Sequence, residues 1–459
     1  MTSHDDVLPS AADAPGGPST DPRRRRQVWA WALWDWATQP FNSVIITFVF
    51  TALYLTSDSF IDPEIVALGE YAEAYKSASA ALDSGLGWGI TAAGILVAIL
   101  APVLGQRADS SGRRKAWLGA MTLLLVGATG GLYFVEAAPT HFWLGVGLIA
   151  FGSIVGEIAG VNYNAMIVQV STPATMGRVS GLGWGLGYMG GILALVFVVL
   201  LDTFDWFGMD TSNGMAYRLI AVGCAVWTLA FAWPLFAYVP EAPGSSRQSV
   251  SLWRGYQRLF HDLRDLWNGA RSTLWFLLAS AVYRDGLAGV FTFGAIIAAK
   301  AFGFSDQQVI IFGIAANLIA GVSTFIAGRF DDRFGPRAVI LFALGVIVGA
   351  GAVIVAFHTA GAIVFWICGL LLSAMVGPAQ AASRSLLARV APTGQESEIF
   401  GLYATTGRAA SFLAPAAWAL SISLFGATIW GTVGVIAVVA LGMGLLVLVR
   451  TPADKGANA

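Results

Sequence analysis

Charge is scarce in this chain. Asp, Glu, Lys and Arg make up 12% of its 459 residues, about half of what a soluble protein carries. An ordinary soluble domain is therefore excluded. The formal net charge is −1, so the basic surplus that nucleic-acid binders use is missing, and no nucleic-acid partner is expected. Cysteine is nearly absent. Cys224 and Cys368 sit far apart in apolar runs, which rules out a disulfide framework or a thiolate metal site. His4, His141, His261 and His358 show no ligand spacing. No G-x-x-x-x-G-K-[ST] occurs, so the chain holds no ATP motor of that type. No cofactor, no metal and no catalytic residue is expected. Period-2 alternation is missing too, which argues against a membrane barrel.

What fills the sequence is apolar residues, 56% of the total. They come in blocks long enough for a helix to cross the hydrocarbon layer, about 20 residues each. The reading is an all-α membrane protein with twelve helices near 28–56, 85–105, 116–135, 142–170, 177–201, 218–238, 272–299, 307–328, 338–357, 361–389, 398–424 and 427–449. Residues 1–27 read as a disordered tail ending in four arginines, and 451–459 as a second tail. Residues 239–271 form a basic linker in which Leu252, Trp253, Tyr256, Leu259, Phe260, Leu263, Leu266 and Trp267 recur at helical spacing. That pattern predicts a helix lying on the membrane surface. The 57–84 segment reads as an acidic loop containing Asp58, Asp62, Glu64, Glu70, Glu73 and Asp83.

Lys and Arg give the orientation. Twenty of the 26 fall in the tails and the even-to-odd loops. Lys76, Arg218 and Lys300 alone fall in the odd-to-even loops, and Arg284, Arg384 and Arg408 lie within helices. The bias predicts both termini in the cytoplasm and, with twelve helices, an inner-membrane protein.

The chain also repeats itself. "GQRADSSGRRK" (105–115) follows helix 2 and "GRFDDRFGPRA" (328–338) follows helix 8. The shared positions are Gly105, Asp109, Gly112 and Arg114 against Gly328, Asp332, Gly335 and Arg337. A second match aligns Pro173 with Pro392 and Gly181 with Gly401. The domains expected are thus a six-helix half at 28–238 and another at 272–450, joined by the linker. Two halves related by an axis along the membrane normal, with a site between them, are a transporter pattern.

These motifs resemble the signature of the major facilitator superfamily, G-x-x-x-D-x-x-G-R-[KR]-[KR] between helices 2 and 3, with a degenerate copy between 8 and 9. The resemblance implies a gating role for Gly105, Asp109, Gly112, Arg113, Arg114, Asp332 and Gly335; a simple turn cap is the plainer reading of the acid. A narrower resemblance covers most of the chain. "WDWATQPFNSVIITFVF" (34–50), "YNAM" (163–166), "SGLGWGLGYMGG" (180–191), "YRDG" (283–286), "QAASRSLLARVAP" (380–392) and "FGLYATTGRAASFLAP" (400–415) are similar to the vacuole-effluxer family. Its fungal members are associated with release of amino acids from the vacuole. The chain departs from that family at Arg284, where a small polar residue is expected, and at Val168-Gln169, where Pro-Asp is expected.

Buried polarity is segregated. Asp35 is on helix 1, Glu157 on 4, Arg284 and Asp285 on 7, Arg384 on 10 and Arg408 on 11, with none expected in helices 2, 3, 6, 9 or 12. In the superfamily, helices 1, 4, 7 and 10 line the central cavity. A charge at mid-bilayer is costly unless it reaches water or a partner. The expected substrate contacts are Asp35, Asn42, Asn164, Tyr188, Tyr283, Asp285, Gln380, Arg384 and Arg408. Three acids and three arginines suit a zwitterion, whose carboxylate meets Arg384 or Arg408 and whose ammonium meets Asp35 or Asp285. Structural salt bridges between the halves are the competing account of the same charges. Glu157, Asp35 and Asp285 are the candidates for carrying a proton, and Arg284 is expected to pair with Glu157 or Asp35. "GLGYMG" (185–190) lies inside an apolar helix, so Gly183, Gly187 and Gly191 read as a close-packing face, not a nucleotide loop. The expectation is a monomeric secondary transporter in the lipid bilayer, moving a small polar metabolite, with amino acids the leading class. A drug or lipid-like extruder and a non-transporting scaffold are the alternatives.

Overall fold

The computed structural model describes residues 22–111, 113–171, 176–209, 211–241, 252–390 and 396–449. Within them every regular element is a helix. Twelve helices are long and apolar enough to span a membrane. Spans 1 to 6 are Pro22–Leu55, Glu73–Leu100, Arg114–Phe134, Pro139–Ala165, Gly185–Thr203 and Met215–Tyr238. Spans 7 to 12 are Arg271–Phe302, Asp306–Thr324, Pro336–Ala356, Ala362–Leu387, Gly401–Phe425 and Ile429–Val447. A further helix, Leu252–Gly269, occupies the linker at the place its periodicity predicts.

Four spans differ from the sequence reading. Span 2 begins a dozen residues early, so the end of the expected 57–84 loop is helical and Asp83 is a fully buried helix residue. Its first turns are poor in apolar residues, and tertiary packing rather than hydropathy makes them a helix. Arg218 likewise lies buried in span 6, so the expectation that spans 2 and 6 carry no charge is corrected.

Span 1 changes pitch at Pro40. It is α-helical over Pro22–Pro40 and π-helical over Phe41–Phe48 and Phe50–Leu55. Proline has no N–H to offer the Trp36 carbonyl four residues back. Span 6 supplies the missing donors: Trp227 Nε1 reaches the Trp36 carbonyl at 3.3 Å and Thr228 Oγ1 reaches that of Ala37 at 3.0 Å. Further along, Thr47 donates to Asn42 O at 2.8 Å, and Thr51 to Ile46 O, each five residues back. In hydrocarbon no water can do this, so side chains must.

Span 11 is broken. It runs as Glu396–Ala409 and Leu413–Phe425. The Ala414 N–H at the start of the second piece is satisfied from another helix, by the Asp285 carboxylate at 2.6 Å.

The glycine face of span 5 and the helix containing it, Met176–Thr203, packs on span 1 as its spacing predicts. A Cβ at Gly190 would stand 2.7 Å from the Trp36 carbonyl oxygen, and one at Gly187 3.2 Å from Asp35 Cγ. Gly190→Val is therefore expected to destabilise the protein by about 1–3 kcal/mol through overpacking. Thermal unfolding of the purified chain checks this, with Gly185→Val as the control, since a Cβ at Gly185 meets nothing within 4 Å.

Candidate functional site

The intramembrane polar residues fall into two groups, one buried among the last six spans and one shared by spans 1, 4, 5, 10 and 11. Span 7 shows the first. Each residue of its "YRDG" stretch has a separate partner. Tyr283 is fully buried and its hydroxyl lies 2.6 Å from Ser383 Oγ on span 10. Arg284 stacks over the Tyr403 ring, 4.1 Å from its centroid, and donates to the Tyr403 carbonyl at 3.4 Å. The expected partner acids, Glu157 and Asp35, do not receive it. Asp285 turns inward to the Ala414 N–H. Gly286 lets span 12 approach, with Val439 Cγ2 2.6 Å from where a Cβ would be. Neighbours on a helix point about 100° apart, and here opposite charges side by side serve two different contacts. Tyr283 and Asp285, expected at the substrate, are buried among the last six spans in this structure.

Spans 1, 4, 5, 10 and 11 carry the second group. The aromatic rings of Trp31, Trp34 and Tyr163 form a stack, with centroids 4.5 Å apart on either side of Tyr163. Trp31 Nε1 donates to Tyr163 O at 3.1 Å and Trp34 Nε1 to Thr122 Oγ1 at 3.1 Å. This stack fixes the first turns of span 1 against span 4, and so fixes Asp35. The Asp35 carboxylate is half-buried and lies against Gly187. Among the described residues it has no ion-pair or hydrogen-bond partner. The Tyr163 hydroxyl, within its electrostatic reach, is also buried without a partner among the described residues. Tyr188 lies within electrostatic reach of both Asp35 and Arg384. One side chain thus senses an acid of span 1 and a base of span 10, from opposite halves.

A second charged contact crosses between the halves. Arg408 Nε is 3.4 Å from Glu157 Oε2, with about half of the Glu157 side chain exposed (54%). Solvent reaches this pair, so it holds the halves only weakly and parts readily. Asn42, Asn164 and Arg384 are exposed, and Gln380 is half-buried.

Among the described side chains of the loop motifs, the basic ones make the helix-end contacts. Gly112 lies outside the described residues, and Gly105 and Asp109 fall within the helix Glu73–Ser111, not in a turn. Asp332 likewise falls within the helix Asp306–Phe334. Gly335 is the turn residue of the second copy, with φ of +81° that favours glycine. Arg113 occupies the N-cap position of span 3. Arg114 donates to Ala165 O at 3.3 Å, at the end of span 4, and Lys115 Nζ to Val239 O at 2.8 Å, just past span 6. In the second copy Arg337 donates to Val447 O at 2.9 Å, at the end of span 12. Cations at helix C-termini are favourable, and the repeated arginines use that in both halves. No metal-ligating cluster occurs among the described residues.

The chain is 26% identical over 432 residues to the uncharacterized MFS-type transporter YxiO of Bacillus subtilis, covering 93% of this chain and 95% of that one. It is 26% identical over 310 residues to autophagy-related protein 22 of Cryptococcus neoformans, covering 61% of this chain and 54% of the relative. The chain thus spans about half the length of that fungal protein. Among solved structures, a D-xylose-proton symporter superposes with a TM-score of 0.63 at 17% identity, over 94% of this chain and 98% of the symporter. A bacterial homolog of the lysosomal transporter Spinster superposes with a TM-score of 0.64 at 14% identity, over 94% of this chain and 97% of that chain. The fold is the major facilitator fold, with two six-helix halves. Residues 90–459 match the family model described as vacuole effluxer Atg22 like, and the chain belongs to that family of membrane transporters.

Proposed function

We propose that this transporter moves a zwitterionic amino acid across the cytoplasmic membrane by alternating access, coupled to protons, with both termini in the cytoplasm. The observation that carries the reading is an acid, Asp35, without an ion-pair or hydrogen-bond partner among the described residues, and a base, Arg384, of the other half, both within electrostatic reach of Tyr188. A zwitterion presents an ammonium and a carboxylate together, and such a site holds one group for each. An intramembrane acid without a fixed partner is the group that can take up and release a proton. The Glu157–Arg408 contact is solvent-reached and joins the halves, which suits a gate that opens in each cycle. Arg114, Lys115 and Arg337 tie helix ends on the face of the termini, where the loop motif is proposed to act. Orientation rests on the excess of Lys and Arg on that face. Export is the proposed direction, in keeping with the family's description.

The test is flux in proteoliposomes loaded in turn with labelled amino acids, dipeptides, sugars and nucleosides, with a pH gradient of either polarity. Movement of one or more amino acids, enhanced by the gradient, is expected. Movement of sugars or nucleosides with no amino acid carried would reject the proposal.

A further inference from the structure

Three basic residues, Lys76, Arg218 and Lys300, lie on the face opposite the termini, and each meets an acid. Lys76 pairs with Glu73 one turn away, at 3.0 Å and exposed. Arg218 approaches Glu136 at 3.8 Å, within the first six spans. Lys300 alone crosses between the halves. Its Nζ is 2.6 Å from Asp83 Oδ1 and 3.0 Å from Ser79 Oγ, both on the helix of span 2. Asp83 is fully buried, at 0% exposure, and Lys300 is 17% exposed.

The second half surrounds Asp83. Thr428, at the N-cap of span 12, donates to Oδ2. Trp418 Nε1 on span 11 donates to the Asp83 carbonyl at 3.3 Å. Trp418 is itself fixed, fully buried and stacked on Phe293 with centroids 4.4 Å apart. Gly87, one turn beyond Asp83, allows the approach: a Cβ there would stand 2.8 Å from Trp418 Cδ1. Both carboxylate oxygens and the carbonyl of one residue in the first half are thus bound by spans 7, 11 and 12 of the second. Elsewhere on this face the halves meet through apolar packing, as Phe48 on Gly313, and through Tyr217, whose exposed hydroxyl donates to Asp306 at 2.5 Å.

A buried ion pair with its remaining hydrogen bonds satisfied is hard to break from one side, because the surviving charge is stranded. For the site to open toward this face, Asp83 must leave Lys300, Thr428 and Trp418. The geometry points to Asp83 and Lys300 as the latch that closes the outward face, with Thr428 and Trp418 positioning the carboxylate. This rests on the alternating-access reading and adds the element that sets its resting state. When the face opens, both charges reach water, so loss of the pair penalises the closed state alone.

The test is the distance between spin labels on the two halves, in the full chain with Cys224→Ser and Cys368→Ser. Thr140→Cys and Thr359→Cys place one label on an exposed turn of each half. Lys300→Gln and Asp83→Asn are each expected to shift the population toward longer distances, by at least about 100-fold in the open-to-closed ratio. The exchange Asp83→Lys with Lys300→Asp is expected to bring the short distance back. Lys300→Gln keeps the test alive if the Asp83 variant fails to fold. Unchanged distances in a monodisperse Lys300→Gln protein overturn the latch, as does a shift in Asp83→Asn alone. The readout needs no substrate. Unchanged distances beside intact amino-acid flux reject the latch only, and a shift without amino-acid flux rejects the substrate only.

Discussion

Asp35→Asn is expected to abolish accumulation driven by a pH gradient while leaving exchange of substrate at equal concentrations. Asp35 is the one acid described in span 1, partly buried against Gly187 of span 5 and without a fixed counterion among the described residues. Asparagine has nearly the same shape and can still receive a substrate ammonium through its carbonyl. It cannot carry a proton. A gradient of about two pH units is worth about 2.7 kcal/mol per proton, so a one-proton carrier concentrates substrate by at most about 100-fold. The variant is expected to stop at a ratio of about one, whatever the gradient. Measured accumulation ratios in proteoliposomes decide the matter. Persistent concentration in Asp35→Asn would move the coupling role to Glu157 or Asp285.

Asp285→Ala is expected to lose stability, and Asp285→Asn to keep most of it. The carboxylate accepts the Ala414 N–H at the break of span 11. Removing it leaves a backbone donor unsatisfied in a region without water. The cost of such a loss is about 1.5–3 kcal/mol. Asparagine restores an acceptor at the same reach. The thermal midpoint of the purified protein reports the first effect. Flux separates the structural role from coupling: a structural Asp285 gives an Asn variant with normal pH-driven accumulation, and a coupling Asp285 gives a stable variant without it.

Much of the architecture could be read from residue order because the bilayer imposes a simple rule. Apolar blocks of the right length become spans, and the glycine spacing of Gly183, Gly187 and Gly191 marks a helix contact wherever it occurs. The misreadings have physical causes. Asp83 sits in "KSASAALDSG", a stretch whose hydropathy is that of a loop, and only its contacts with Lys300 and Trp418 make it interior. Charge counting pairs Arg284 with an acid, because it knows only acids as partners for arginine. The Tyr403 ring that receives it carries no charge to count. The break in span 11, at 410–412, is marked locally by Pro415, which has no N–H for the Ser411 carbonyl four residues back; the carboxylate from another helix that satisfies Ala414 is not marked there. Tyr188 was legible as a polar residue in an apolar helix. Its position between Asp35 and Arg384 needed the two halves to be assembled.

Transport along this path requires that the exposed polar residues of spans 1, 4 and 10 face water inside the membrane. Thiol labelling tests it most directly. In the chain with Cys224→Ser and Cys368→Ser, Asn42→Cys well inside span 1 and Phe197→Cys on span 5 introduce two thiols at positions that are both exposed. A charged, membrane-impermeant thiol reagent is expected to modify the Asn42 variant and spare the Phe197 variant, which faces lipid. Equal protection of both, or reaction at Phe197 alone, would contradict the account.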